Sequence, residues 1–442
     1  YGLPAQMALT LPLFAGVFAG LAFMGPGFRE QGGKATTLPV WIGERYGSPG
    51  LRAWFGLLCV LNIFYIVLIV VGASYIMSTS MGVSYPVAVG IVVGVVFSYV
   101  FLGGTYAHAY TNTAQGAVML VVACLIFAAA VATMGSPANV ISELAAQDPN
   151  LTGLTYPGSP FYRHWAEVLV CPFVIGFALV AQPHLLVKTL YLKETKDLAK
   201  FGLVGFGCFV VFSLVLFAGL AARLELGAGI PQDQAAARWL AGAFHPALGA
   251  VVSVAILAAA MSTLDGLLVA VSAIVGSDLI AHPAIAPKLG LVTKEQVSRG
   301  ALNGGRLTIV VLGAIAWIVS LSPPKLVGIF GTVGTYGLLV ASLPAVLYGV
   351  RPGKRLPPAW SMALASVVGL AVHMVLYFGG WTINTGLTAC VGLAAAMPIP
   401  ALARFLFPAN AGEEELEAFA KAETAEFPSL SYSASGRLVP VK

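Results

Sequence analysis

Leu257-Ala-Ala-Ala-Met-Ser-Thr-Leu-Asp-Gly-Leu-Leu-Val-Ala-Val-Ser-Ala-Ile-Val-Gly-Ser-Asp-Leu-Ile280 is long and apolar enough to span a bilayer, yet Ser262, Thr263 and Asp265 sit together in its middle. A carboxylate at mid-depth costs roughly 2.5–3.5 kcal/mol on insertion scales, so it must face a cavity, a partner or an ion. The two adjacent hydroxyls, with the carbonyl of Ala259 one turn earlier, offer the hard oxygen ligands that a small alkali cation takes. The plainer reading is that Ser262 and Thr263 bond back to their own helix. Ala258, Ala259, Ala260 and Gly266 are small enough to let a neighbouring backbone approach closely.

Composition places this stretch in an all-α polytopic membrane protein. The chain has 442 residues, 58% of them hydrophobic and 9% charged, with a mean hydropathy of +0.89. A soluble domain carries roughly 25% charge. A net charge of +5 in such a chain reports basic residues at one membrane face and gives no support to nucleic-acid binding. Cys59, Cys124, Cys171, Cys208 and Cys390 all lie in apolar spans without a CxxC pair or a His-Cys spacing, so they read as packing residues. The chain opens at Tyr1 on an apolar run, and the expectation is that further sequence precedes it.

At about 20 apolar residues per crossing, eleven spans emerge: 3–25, 53–79, 84–103, 113–134, 164–187, 199–222, 245–280, 305–321, 326–349, 358–379 and 385–407. The seventh is too long for one perpendicular crossing, so its ends tilt or project. With residues 26–52 placed in the cytoplasm, all of the 23 basic residues but Arg163, Arg223, Arg238 and Lys325 fall inside. That bias orients the C-terminus to the cytoplasm. Segments 135–163 and 223–244 are longer than connectors require and read either as short helices over the outer face or as ordinary loop. Residues 1–407 are expected to form the membrane domain. Residues 408–442 form a cytoplasmic tail, Glu-rich and then Ser-rich and basic, expected to be a short amphipathic helix followed by a disordered stretch.

Three further segments carry polarity. Thr37-Leu-Pro-Val-Trp-Ile-Gly-Glu-Arg-Tyr-Gly-Ser48 is a short amphipathic piece between spans. Gly103-Gly-Thr-Tyr-Ala-His-Ala-Tyr-Thr-Asn-Thr-Ala-Gln115 is a glycine-led loop running into a span whose first turns hold Asn112 and Gln115, which either close a pathway or cap a helix. In Ala181-Gln-Pro-His-Leu-Leu-Val-Lys188, Pro183 removes a backbone donor deep in a span and predicts a break beside Gln182 and His184. Broken helices at mid-depth expose backbone polarity to substrates in secondary transporters, although transmembrane prolines are also common.

Together these segments resemble the sodium/solute symporters, the family of proline, pantothenate, monocarboxylate, sialic-acid and sugar carriers. The resemblance rests on Thr37–Ser48, Gly103-Gly104 with Thr111-Asn112 and Gln115, Gln182-Pro-His184 and, most specifically, Ala260-Met-Ser-Thr-Leu-Asp265. It implies an inverted-repeat bundle of the sodium:leucine-transporter type, alternating access, and a sodium ion held by Ser262, Thr263 and the Ala259 carbonyl together with an unwound first core helix. The eleven spans match the family's last eleven, so the first one or two family helices are expected to be missing through truncation or to come from a partner chain. Many relatives carry Asp where this chain has Asn112, and Gly266 replaces a further ligand. One coupling sodium is therefore expected, with Asp265 and Asn112 left as an auxiliary ion or proton site and Gln182, His184 and Gln115 as substrate or gate residues.

The resulting expectation is a sodium-coupled importer of a small organic solute, such as a monocarboxylate or amino acid, in the cell's inner (plasma) membrane with the lipid bilayer around it. The alternative is a symporter-like sensor that binds solute without accumulating it. An enzyme is not indicated: Glu167 and Asp265 are the only acids well inside spans, and no nucleophile, base or metal set accompanies them.

Overall fold

The computed structural model describes residues 1–31, 35–103, 105–353, 356–407, 430–432 and 438–440, with side chains placed outside 103–111 and the last two segments. Among these residues ten helices are long and apolar enough to cross a membrane, and a bent pair of helices brings the crossings to eleven. The spans are α1 (Gly2–Glu30), α3 (Pro49–Met81), α4 (Tyr85–Gly103), α5 (Thr105–Met134), the pair α7 (Ala166–Leu179) and α8 (Pro183–Tyr191), α9 (Asp197–Leu226), α11 (Pro246–Ile280), α12 (Lys294–Leu321), α13 (Val327–Gly349), α14 (Ala359–Phe378) and α15 (Thr385–Leu406). Shorter helices α2 (Leu38–Tyr46), α6 (Pro137–Gln147) and α10 (Gln232–Ala243) lie between them.

The helix ends follow from local chemistry. Thr37 caps α2 by accepting the Val40 amide at 3.2 Å, and Gly47 ends it in the left-handed region at φ 60°. Ser48 then caps α3 with Pro49 in its first turn. A capping box between Thr293 and Gln296 starts α12 eleven residues before its apolar part begins, so this helix reaches well beyond the bilayer. In α11 regular α-helix runs to Ile274 and a π-turn covers Val275–Ile280.

Two groups of spans share α3 and α13. One apolar core joins α1, α2, α7, α13 and α15; another joins α3, α4, α11 and α12. Of its most apolar window α13 buries 72%, against 11% for α9, so α13 is a central post and α9 faces lipid. The α1–α7 contact is made backbone to backbone. A Cβ on Gly16 would strike the Phe173 carbonyl, and one on Gly176 would strike the Leu13 carbonyl, so only glycine fits at either position.

The long connecting segments 135–163 and 223–244 both contain helices, α6 and α10, anchored by the buried Leu144 and Trp239. Asp233 at the start of α10 accepts the Val327 amide at 3.3 Å and so caps α13, whose preceding residue Leu326 sits at φ 56°. A left-handed leucine is strained, and this cap helps hold it. The helix expected in the tail lies outside the described residues at 408–429. Beyond it, where disorder was expected, Leu430–Tyr432 pairs antiparallel with Leu438–Pro440.

Candidate functional site

The Ser-Thr-x-Asp segment lies midway along α11. Ser262 Oγ donates to the Ala259 carbonyl at 2.9 Å and Thr263 Oγ1 donates to the same carbonyl at 3.1 Å. Both hydroxyls thus bond back to their own helix, as the plainer sequence reading allows. The same geometry gathers three oxygens at one point and leaves the hydroxyl lone pairs uncommitted by these bonds. Ser262 is half-buried and Thr263 exposed, so the group opens outward from the helix.

Asp265 points elsewhere. It is buried, and Tyr99 of α4 donates to its Oδ2 at 3.2 Å while lying 3.3 Å from the Met261 carbonyl. Tyr99 was not singled out in the sequence. Its signal there was a phenol following Ser98 in the otherwise apolar run Ile91–Val100.

The break expected at Pro183 is present as a 60° bend between α7 and α8. Gln182 is extended at the junction, with φ −69° and ψ 139°, because the residue before a proline avoids the helical region. Its side chain is wholly buried. Nε2 donates to the Thr335 carbonyl of α13 at 2.7 Å, while Oε1 has no hydrogen-bond partner among the described residues. A buried acceptor left in this state costs about 1–3 kcal/mol unless something supplies a donor. His184 follows in the first turn of α8, half-buried. That turn packs against α11, which puts the break beside the helix carrying Ser262 and Thr263.

Asn112 and Gln115 are half-buried on α5, which packs along α11. The helix begins at Thr105 where a loop was expected, so both stand in its second and third turns. Gln115 Oε1 is buried with no hydrogen-bond partner among the described residues. The side chain of Thr111 and the whole of Gly104 lie outside what is described. Among the described residues no group of three or more His, Cys, Asp and Glu side chains could hold a metal ion.

The high-affinity proline transporter of Bacillus subtilis is 25% identical over 335 residues, covering 72% of this chain and 69% of the transporter. The sodium/pantothenate symporter of Haemophilus influenzae is 25% identical over 334 residues; the match covers 73% of this chain and 65% of that protein, slightly under two thirds of its length. Among solved structures, a Na+-coupled sialic acid symporter in a substrate-bound outward-open state superposes with a TM-score of 0.69 at 16% identity, covering 92% of this chain and 86% of its own. That likeness shows the fold, the sodium:leucine-transporter-type bundle. The profile of the sodium:solute symporter family matches residues 1–350, and the chain therefore belongs to the sodium:solute symporter family, a family of multi-pass membrane transporters.

Proposed function

We propose that the protein is a sodium-coupled symporter that imports a small organic solute by alternating access. The observation that carries this reading is the convergence of Ser262 Oγ and Thr263 Oγ1 on the Ala259 carbonyl, at 2.9 and 3.1 Å, in the middle of a membrane-spanning helix. Three neutral oxygens at one point suit a monovalent cation that must bind and then leave. The sodium coupling of the similar pantothenate symporter, and of sodium/proline symporters of Staphylococcus aureus that are 26% identical over 332 residues, supports sodium as the coupling ion.

The solute site is assigned to the junction of α7 and α8, where Gln182 Oε1 is a buried acceptor in want of a donor. A small carboxylate or amino acid is the class proposed; an amino group would supply that donor. Sodium bound at α11 favours the outward-open state and raises solute affinity, and its release inside permits inward opening. Asn112 carries no charge and Gly266 offers no side-chain ligand, which supports one sodium accompanying each solute. The asymmetry of basic residues supports a plasma-membrane orientation with residues 408–442 as a cytoplasmic tail.

Uptake into proteoliposomes under an imposed inward sodium gradient tests the reading, with a panel of amino acids and monocarboxylates as solutes. Accumulation against a solute gradient, abolished by collapsing the sodium gradient, is expected. Binding without accumulation would instead identify a sensor, and flux at two sodium ions per solute would refute the stoichiometry.

A further inference from the structure

Away from α11, the end of the bundle that carries α2 holds a cavity of ≈ 470 Å3 whose walls include Tyr348, Arg351, Gly353, Leu356 and Arg404. We propose that it binds the phosphate headgroup of an anionic phospholipid, clamped between Arg351 and Arg404.

The cavity is framed before any ligand arrives. Arg45 of α2 donates from Nε to the Gly349 carbonyl at 2.8 Å and from one terminal nitrogen to the carbonyls of Arg351 and Gly353 at 2.9 and 2.8 Å. The turn after α13 is thereby fixed. The Arg351 guanidinium stands 5.0 Å over the Tyr348 ring, and the Tyr348 hydroxyl donates to the Met397 carbonyl of α15 at 3.3 Å. Met397 directly precedes Pro398–Leu406, the last segment of α15, which carries Arg404. One wall therefore positions the other.

The charge is unspent. Among the described residues no carboxylate lies within ion-pair distance of Arg351 or Arg404. Two guanidinium forks can each bind the oxygens of a phosphate bidentately.

The surroundings select a lipid over a free anion. Arg404 is flanked on its helix by Leu402 (59% exposed), Phe405 (85%) and Leu406 (65%), an outward apolar face that acyl chains would cover. Trp360 meets Phe407 edge-on at 5.5 Å, both half-exposed, as aromatic side chains do at headgroup level. Basic pockets between spanning helices at the cytoplasmic side are recognised lipid-headgroup sites.

Native mass spectrometry of the purified full chain, titrated with phosphatidylglycerol and separately with phosphatidylcholine, reads the site. One phosphatidylglycerol is expected to bind in preference to phosphatidylcholine. R351Q/R404Q is expected to weaken it roughly twenty-five-fold, at about fivefold per arginine, and R351K/R404K to fall between. Should the double glutamine variant fail to elute as folded protein, R404Q, at an exposed site, should still show about a fivefold loss. Inorganic phosphate or glycerophosphate binding as tightly as the lipid would assign the pocket to a soluble anion and overturn the proposal. Equal phosphatidylglycerol affinity in wild type and R351Q/R404Q would overturn it as well.

Discussion

Arg52 Nε donates to Asp278 Oδ1 across 2.8 Å, joining the first turn of α3 to the π-turn that ends α11. Asp278 is wholly buried, and its Oδ2 accepts from Thr37 at 2.8 Å and Ser277 at 3.1 Å; Arg52 also donates to the Ser277 carbonyl at 3.1 Å. Removing one member of a buried pair strands the other charge, at a cost of about 3–5 kcal/mol, whereas removing both is far milder. Arg52→Met is therefore expected to lower the melting temperature of the purified protein markedly, and R52M/D278N to recover part of it. A wild-type melting curve for Arg52→Met would contradict this account of the pair.

Ser262→Ala and Thr263→Ala separate an ion-binding role from back-bonding. If both hydroxyls hold sodium, each variant should raise the sodium concentration for half-maximal uptake about tenfold, consistent with losing one ligand worth about 1.4 kcal/mol. Solute affinity at saturating sodium should change little. Equal, mild effects on both quantities would leave only the helix-local bonds.

His282, just past the end of α11, gives a pH signature. Its Nε2 lies 3.0 Å from the Pro49 carbonyl and its Nδ1 accepts the Ala284 amide at 3.2 Å, so the neutral ring satisfies both partners. Burial, with a smaller contribution from Arg52, lowers its pKa below the ordinary 6.5, against the opposing pull of the Pro49 carbonyl and Asp278. A histidine depressed in the folded state binds its proton more readily when unfolded. Its contribution to stability is therefore complete above about pH 6.5 and is lost as the pH falls toward the folded value. Melting temperature measured between pH 7.5 and 5 should decline at the acid end, and His282→Gln should flatten that part of the profile. An unchanged slope in the variant would assign the acid sensitivity to other groups.

Gly176→Val tests the α1–α7 contact. The added side chain meets the Leu13 carbonyl backbone with no flexible atom to yield, so folded protein should be lost on gel filtration. Gly72→Ala is the control. It stands in the interior of α3 with nothing within 4 Å of an added Cβ, and should be neutral or stabilising by about 0.5–1 kcal/mol. Loss of both variants alike would point to general intolerance of substitution.

Much of this was legible in the sequence because bilayer thickness imposes a length on every apolar run. All eleven spans were found, with errors only where polar residues continue a helix past the membrane, as Lys294–Gly304 does in α12. The break at Gln182-Pro183 was legible because proline acts on its own backbone. The partners of the polar residues were not. Thr335 meets Gln182 across 153 positions and Tyr99 meets Asp265 across 166. No local pattern encodes which face of a uniformly apolar helix turns toward a neighbour. The same holds for Arg45, whose charge was counted toward orientation while its three carbonyl partners more than 300 residues away went unseen.

Helix α2 is fastened at both ends, and the fastenings are unequal. Toward α11 it has the hydrogen bond from Thr37 to Asp278. Toward α13 it has the three bonds of Arg45 and a fourth from the Tyr46 hydroxyl to the Ala345 carbonyl at 2.7 Å. Links in series fail at the weakest. If the ends of α11 and α13 that α2 joins were pulled apart, the single bond at Thr37 would be expected to part first and leave α2 with α13. This nine-residue helix then behaves as a latch bolted to one leaf of a door and merely hooked on the other.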